Sequence, residues 1–258
     1  MIIVAENRKL QMREVLCHPL GPLPRALLAD RSLRKTNKSS LAKELQKSVQ
    51  AAYVIPQPSA CLIDGMALVQ RLRGEHKKFS EVAGSLTGMV LDEGFSSQRT
   101  DVVFNVYREN SIKNVEREKR GSALGNEFRN IQPEHKVQQW KKFLMNPKNK
   151  KAFTSFMAKE WRTDKYKRKL TGKTLYVTCG DECYQISSEA TEAVEELVST
   201  HEEADTRLIL HAAHAATSGK EAVVVASEDS NVFIICLAFK SLIPASMYFK
   251  CRTQTLTR

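Results

Sequence analysis

From Glu221 to Phe239 the chain reads EAVVVASEDSNVFIICLAF, two apolar runs joined by the polar knot Ser227-Glu228-Asp229-Ser230-Asn231. The first run is short and valine-rich, which suits a buried strand over Ala222–Ala226. The second, Val232 to Phe239, suits a buried helix or a buried strand, since periodicity does not separate the two in so short a run. Adjacent carboxylates where one buried element hands over to another belong at an edge that water reaches. That places the knot at the rim of a sheet.

Similar junctions recur. Ala60–Ile63 is a short apolar run ending in Asp64-Gly65, followed by helical spacing from Met66 to Leu72. Asp101 to Tyr107 is β-branched and aromatic and reads as a strand. Leu175–Cys179 and Cys183–Ile186 form an expected hairpin around Gly180-Asp181. Helices are expected over Glu189–Val198 and Glu202–Thr217, the latter stopped by Gly219, and a last strand over Ala245–Lys250. Strands alternating with helices make an α/β fold, a central and mostly parallel sheet flanked by helices. In such sheets ligands bind beyond the carboxyl ends of the strands.

Residues 1–52 read as an amino-terminal extension, Pro/Gly-punctuated at HPLGPLPRALLAD and with one short helix over Leu41–Val49; residues 53–258 read as the main domain. Hydrophobic residues make up 42% and the mean hydropathy is -0.37, as in soluble globular chains. No run approaches the length of a bilayer span, so no membrane partner is expected. The six cysteines are scattered, which suggests reduced thiols in an intracellular protein, nuclear or cytoplasmic.

Charge is uneven. Residues 108–170 carry 18 Lys and Arg against 7 Asp and Glu, a balance of +11, with Trp140, Phe143, Phe153, Phe156 and Trp161 among the lysines. This segment reads as a basic helical insertion whose aromatics pack inward or line a channel. A solvated lysine-rich face is the plain alternative. Lys165, Lys167, Arg168 and Lys169 are the candidate nucleic-acid contacts, because clustered cations neutralise phosphates.

Four acids, Asp64, Glu203, Asp205 and Asp229, stand at junctions on the same expected sheet edge. Clustered carboxylates repel unless a cation neutralises them, and Mg²⁺ or Mn²⁺ prefers hard oxygen ligands. Each also has a structural role open to it. Asp64 and Asp229 can cap the helices that follow, and Thr200 with Glu203 fits a capping box. Cys179 and Cys183 lack the second pair a zinc site needs, and Thr171-Gly172-Lys173-Thr174 lacks the first glycine of a phosphate loop. His211 and His214 read as surface or core histidines.

Ile63-Asp64-Gly65-Met66, Val103-Phe104-Asn105, Glu203-Ala204-Asp205 and Glu228-Asp229-Ser230-Asn231 follow one another in order. Together they resemble the PIN-like, flap-endonuclease superfamily, and the likeness extends over nearly all of the chain. The resemblance implies a parallel sheet between helices and hydrolysis of DNA or RNA with Mg²⁺ or Mn²⁺. It also implies a basic helical clamp between the second and third motifs. By that likeness Asp64, Glu203, Asp205 and Asp229 are the metal-binding and catalytic acids. Asn105 and Asn231 stand where the family carries acids, and each removes one negative charge. A further acid would follow beyond Arg258, so the domain is expected to be truncated at its carboxyl end. Two readings stay open: a nucleic-acid-binding, metal-dependent nuclease, and an inactive interaction module with a decayed acidic site.

Overall fold

A computed structural model describes residues 52–108 and 127–250, together with Leu28–Ala29, Ser32–Leu33, Ser40, Glu44 and Lys47. Contacts divide the chain into Met1–Ser48 and Val49–Arg258. In the first unit β1 (Leu28–Ala29) pairs antiparallel with β2 (Ser32–Leu33). Glu44 and Lys47 are helical and ion-paired at 2.6 Å; the rest of the helix expected over Leu41–Val49 lies outside the described residues.

The second unit is built on β3 (Ser59–Asp64), β4 (Arg99–Val103), β5 (Thr174–Cys179), β6 (Glu182–Ile186), β7 (Thr191–Ala193), β8 (Ala222–Ala226) and β9 (Ser246–Lys250). They form one sheet in the order β7-β6-β5-β4-β3-β8-β9. The five strands from β5 to β9 in that order run parallel, and β6 and β7 extend the sheet antiparallel. This is the α/β architecture expected from the sequence.

Alternation along the buried strands feeds two cores. Cys61 and Ile63 face one side, with α1 (Gly65–Arg71), α2 (Phe79–Glu93), α3 (Trp140–Met145) and α4 (Pro147–Trp161). Ala60 and Leu62 face the other, with α6 (Ala204–Thr217) and α7 (Ser230–Phe239). Between α4 and β5 lie a four-residue helix, α5 (Asp164–Lys167), and the 3₁₀ turn Arg168–Leu170. Val232–Phe239 therefore folds as helix, started by Asp229, whose carboxylate accepts the Asn231 N–H at 2.8 Å. Among the described residues no helix is long and apolar enough to cross a membrane.

The basic segment is helical from Trp140 on, while residues 127–139 run without helix, and its aromatics do pack inward: Trp140, Phe143, Phe156 and Trp161 are all buried. These helices belong to the main core, so the segment is a layer of the domain as well as a charged surface. Residues 109–126 lie outside the described part.

The helix expected over Glu189–Val198 is absent. The chain instead forms β7 and a 3₁₀ turn, Glu195–Leu197. The Glu189 and Ala190 amides donate to Ser187 Oγ and turn the chain back, so that Thr191–Ala193 pairs with β6. Val194 and Leu197 then cover Tyr176 and Cys183. Pairing and burial override the helical propensity of the glutamates. β4 likewise ends at Val103, short of the expected Tyr107, because its neighbours end level with it; Asp64 is opposite Val103.

Gly65 is demanded by close packing. A Cβ there would run into the Phe104 ring, itself stacked near Trp161 with centroids 6.4 Å apart. Gly65→Ala is expected to destabilise the fold by about 1–3 kcal/mol, the usual cost of overpacking. A urea midpoint equal to wild type would contradict this packing.

Candidate functional site at the carboxyl edge of the sheet

β3 and β8 are neighbours in register, Ile63 opposite Ala226, so the residues that follow them emerge side by side. Asp64 closes β3 and caps α1, its Oδ1 accepting the amides of Met66 at 2.9 Å and Ala67 at 3.2 Å. After β8, Ser227 Oγ accepts the Asp229 amide at 3.1 Å, and Asp229 caps α7. Both acids are thus held by the same local device, the cap of a helix that follows a parallel strand, directly after β3 and three residues on from β8. Burial pushes the Asp64 carboxyl above its usual range; the Ala67 and Met66 amides oppose that, and the charge of Asp229 adds to it. The two carboxylates feel one another.

Glu203 and Asp205 come to the same edge by another route. β8 runs parallel to β3, so α6, which precedes it, starts at the carboxyl edge. Glu203 is the residue before α6 and Asp205 lies in its first turn. The capping box anticipated from Thr200 and Glu203 does not form, because α6 begins only at Ala204 and makes Glu203, not Thr200, the residue at the cap position. The cap comes from across the sheet: Asn105 Oδ1 accepts the Ala204 amide at 2.6 Å. Asn105 thus has a structural task that its sequence neighbours do not reveal. Arg207, one turn further and fully buried, donates through Nη1 to the carbonyls of Phe104 and Gly180 at 3.3 and 2.8 Å. It ties the ends of β4 and β5 together at this edge.

Among the described residues no three carboxylate, histidine or cysteine side chains come together as a metal-holding group. The acids as placed among the described residues therefore do not make up a two-metal centre. Cys61, Cys179, Cys183 and Cys236 carry free thiols.

The four cations singled out in the sequence lie elsewhere. Lys165 and Lys167 are in α5, and Arg168 and Lys169 form the 3₁₀ turn that leads through Lys173 into the start of β5. Thr174 opens β5 opposite Arg99, the first residue of β4. The cluster therefore stands at the amino edge of the parallel strands, roughly 16–20 Å from the acids along a six-residue strand. It is set off from the acidic edge because the chain descends from the carboxyl end of β5, where Ser155 lies beside Cys179, along the rest of α4 before the cluster begins.

A second polar assembly escaped the sequence reading. Asp101 is fully buried in β4 and receives two bonds from Arg99, Nε at 2.8 Å and Nη2 at 2.7 Å. His211 of α6 meets the same carboxylate through Nδ1 at 2.7 Å, and Arg99 Nη1 meets His214 Nδ1 at 2.9 Å. The Arg99 guanidinium carbon lies 3.7 Å from the Tyr176 ring centroid. The available signal was Arg-x-Asp on one face of a buried strand, opposite the helix spacing of Arg207, His211 and His214.

No protein-family model, curated protein or solved structure matches this chain.

Proposed function

We propose that this chain is a PIN-like nucleic-acid-binding domain related to divalent-metal-dependent nucleases. Its reaction class is hydrolysis of phosphodiesters in DNA or RNA. The observation that carries the reading is the emergence of Asp64 and Asp229 from the ends of adjacent parallel strands, where burial raises the Asp64 carboxyl and the charge of Asp229 adds to it. A buried strand end that tolerates such repulsion suits a cation. On this reading Asp64 and Asp229 hold one Mg²⁺ or Mn²⁺, and Glu203 and Asp205 supply further negative charge from the start of α6. The protein's own part is to present these acids on rigid strand–helix junctions.

A second reading has its own support. The acids form no group of three among the described residues, and Asn105 is engaged as a helix cap. On that reading the domain is an interaction module without hydrolytic activity.

Mn²⁺ titration by calorimetry separates the two. Under the first reading, wild type binds Mn²⁺ and both Asp64→Asn and Asp229→Asn lose at least tenfold in affinity. Asn also caps helices well, so both variants keep the fold. Without metal, Asp64→Asn is expected to match or exceed wild-type stability, because it removes a raised, repelled carboxylate while leaving the cap. Absence of Mn²⁺ binding to wild type at millimolar metal would leave the interaction module standing. Asn105→Asp with Asn231→Asp should raise Mn²⁺ affinity under the first reading, since aspartate can still accept the Ala204 amide.

A further inference from the structure

Residues 127–131 run as a strap over α4 and enclose with it a cleft of about 280 Å³. The strap is latched in place: the Phe128 amide donates to Asn149 Oδ1 at 2.8 Å, and Asn149 Nδ2 donates to the Phe143 carbonyl at 3.2 Å. The apolar part of its lining is Phe128, Ile131, Ala152 and Phe156, of which Ile131 and Phe156 are buried in the core behind it, and Asn130 and Ser155 add hydrogen-bonding groups. Four cations line it, Arg129, Lys148, Lys151 and Lys159, against one acid, Glu127. Glu127 is already shared by Arg129 at 3.1 Å and Lys148 at 3.3 Å. Lys151 and Lys159 are exposed and form no ion pair among the described residues.

We infer that this cleft seats one nucleotide of a single-stranded nucleic acid, with its flanking phosphates on Lys151 and Lys159. Three features select that ligand. At the lower end of ligand-pocket sizes, the volume accepts one base and sugar and excludes a duplex. The two unpaired lysines lie eight residues apart on one helical stripe, about 12 Å along the axis, so they serve two separate phosphates better than one. The partly exposed Phe128 in the lining offers a base an apolar contact that peptide carboxylates do not need. Placement agrees: Ser155 Oγ approaches Cys179 Sγ at 3.9 Å, at the carboxyl end of β5, and Lys150 Nζ lies 5.9 Å from the Tyr107 ring centroid just beyond β4. The cleft therefore opens at the same sheet edge as Asp64 and Asp229, where the cluster from Lys165 to Lys169 does not reach. This inference rests on the nucleic-acid half of the proposed function and is independent of the carboxylate pair.

Fluorescence anisotropy with a labelled twelve-nucleotide oligothymidylate tests it, with the matching duplex and an oligoglutamate peptide as competitors. Lys151→Gln/Lys159→Gln is expected to weaken single-strand binding at least tenfold near 0.1 M salt. The slope of log K against log salt should flatten by about 1.4, two single-strand phosphates at about 0.7 each. Lys165→Gln/Lys169→Gln should change neither, and single strand should compete better than duplex. Wild-type binding that survives the first double variant overturns the cleft while leaving nucleic-acid binding standing. No binding by wild type overturns both. Displacement by oligoglutamate as effective as by unlabelled oligothymidylate overturns the nucleotide assignment in favour of an acidic protein partner. These lysines are exposed on a helix face, so an unchanged circular dichroism melt is expected and shows that lost binding is not lost folding.

Discussion

Asp101→Ala is expected to cost about 3–5 kcal/mol of folding stability, because it strands a buried guanidinium without its counter-charge. Arg99 is 2% exposed and Asp101 wholly enclosed, and their two hydrogen bonds are joined by those from His211 and His214. Deletion leaves Arg99 with only the histidine nitrogen and the Tyr176 ring. Replacing the charged pair together, as Arg99→Met/Asp101→Leu, should cost far less than the single change, since an ion pair removed whole leaves no buried charge. Urea denaturation of the two variants decides the matter. A loss below about 1 kcal/mol in Asp101→Ala would mean that water or rearrangement satisfies Arg99.

The same network fixes a sign for acid stability. Burial alone would raise the Asp101 carboxyl, but the Arg99 charge and the bonds from Arg99 and His211 hold it below the usual carboxylate range. A depressed carboxyl contributes stability that is complete above its unfolded value and lost as pH falls through the folded one. Asp64 has the opposite sign. Raised by burial and by Asp229, it favours the fold when protonated, and that contribution fades as pH rises through its folded value. Asp101→Asn should therefore flatten the acid limb of the stability curve, and Asp64→Asn should remove the loss on the rising side. The Asp101 and Asp64 carboxylates are therefore distinguishable by titration direction.

Much of the fold was legible because it rests on local pattern. Valine-rich runs at Ala222–Ala226 and the Asp64-Gly65 junction identified strands, helix starts and the edge at which the acids emerge. What the sequence concealed depends on partners far apart in the chain. Nothing near Asn105 says that its side chain will cap a helix beginning at Ala204. Nothing near Glu189 says that β6 will recruit the next residues as a strand. The charge excess of 108–170 was visible as a sum, but which lysines share the acidic edge depends on the direction of α4. The helix passes from that edge toward the other, so Lys151 belongs to the first and Lys169 to the second. Composition carries no such sense of direction.

Phe79→Ala should produce a comparable loss, about 3–5 kcal/mol, as expected for truncating a buried aromatic. Phe79 opens α2, is fully buried, and has four phenylalanine rings around it. Phe128, Phe143, Phe153 and Phe156 lie at centroid distances of 6.0, 5.4, 6.2 and 5.8 Å. Its backbone is also engaged, the amide donating to the His135 carbonyl at 2.9 Å, so the segment after the strap is hung from the same residue. Phe79→Leu keeps most of the volume and should lose about half as much or less. The consequence reaches the cleft, because Phe128 and Phe156 belong to its lining and both pack on Phe79. Under conditions where Phe79→Ala remains folded, amide exchange should quicken over 127–137, and oligothymidylate binding should weaken without any change at the lysines. On the proposed nuclease reading, Mn²⁺ binding at Asp64 and Asp229 should persist, since those acids are held by their own helix caps. Equal loss of both would show that the aromatic cluster supports the whole edge of the sheet and not the cleft alone.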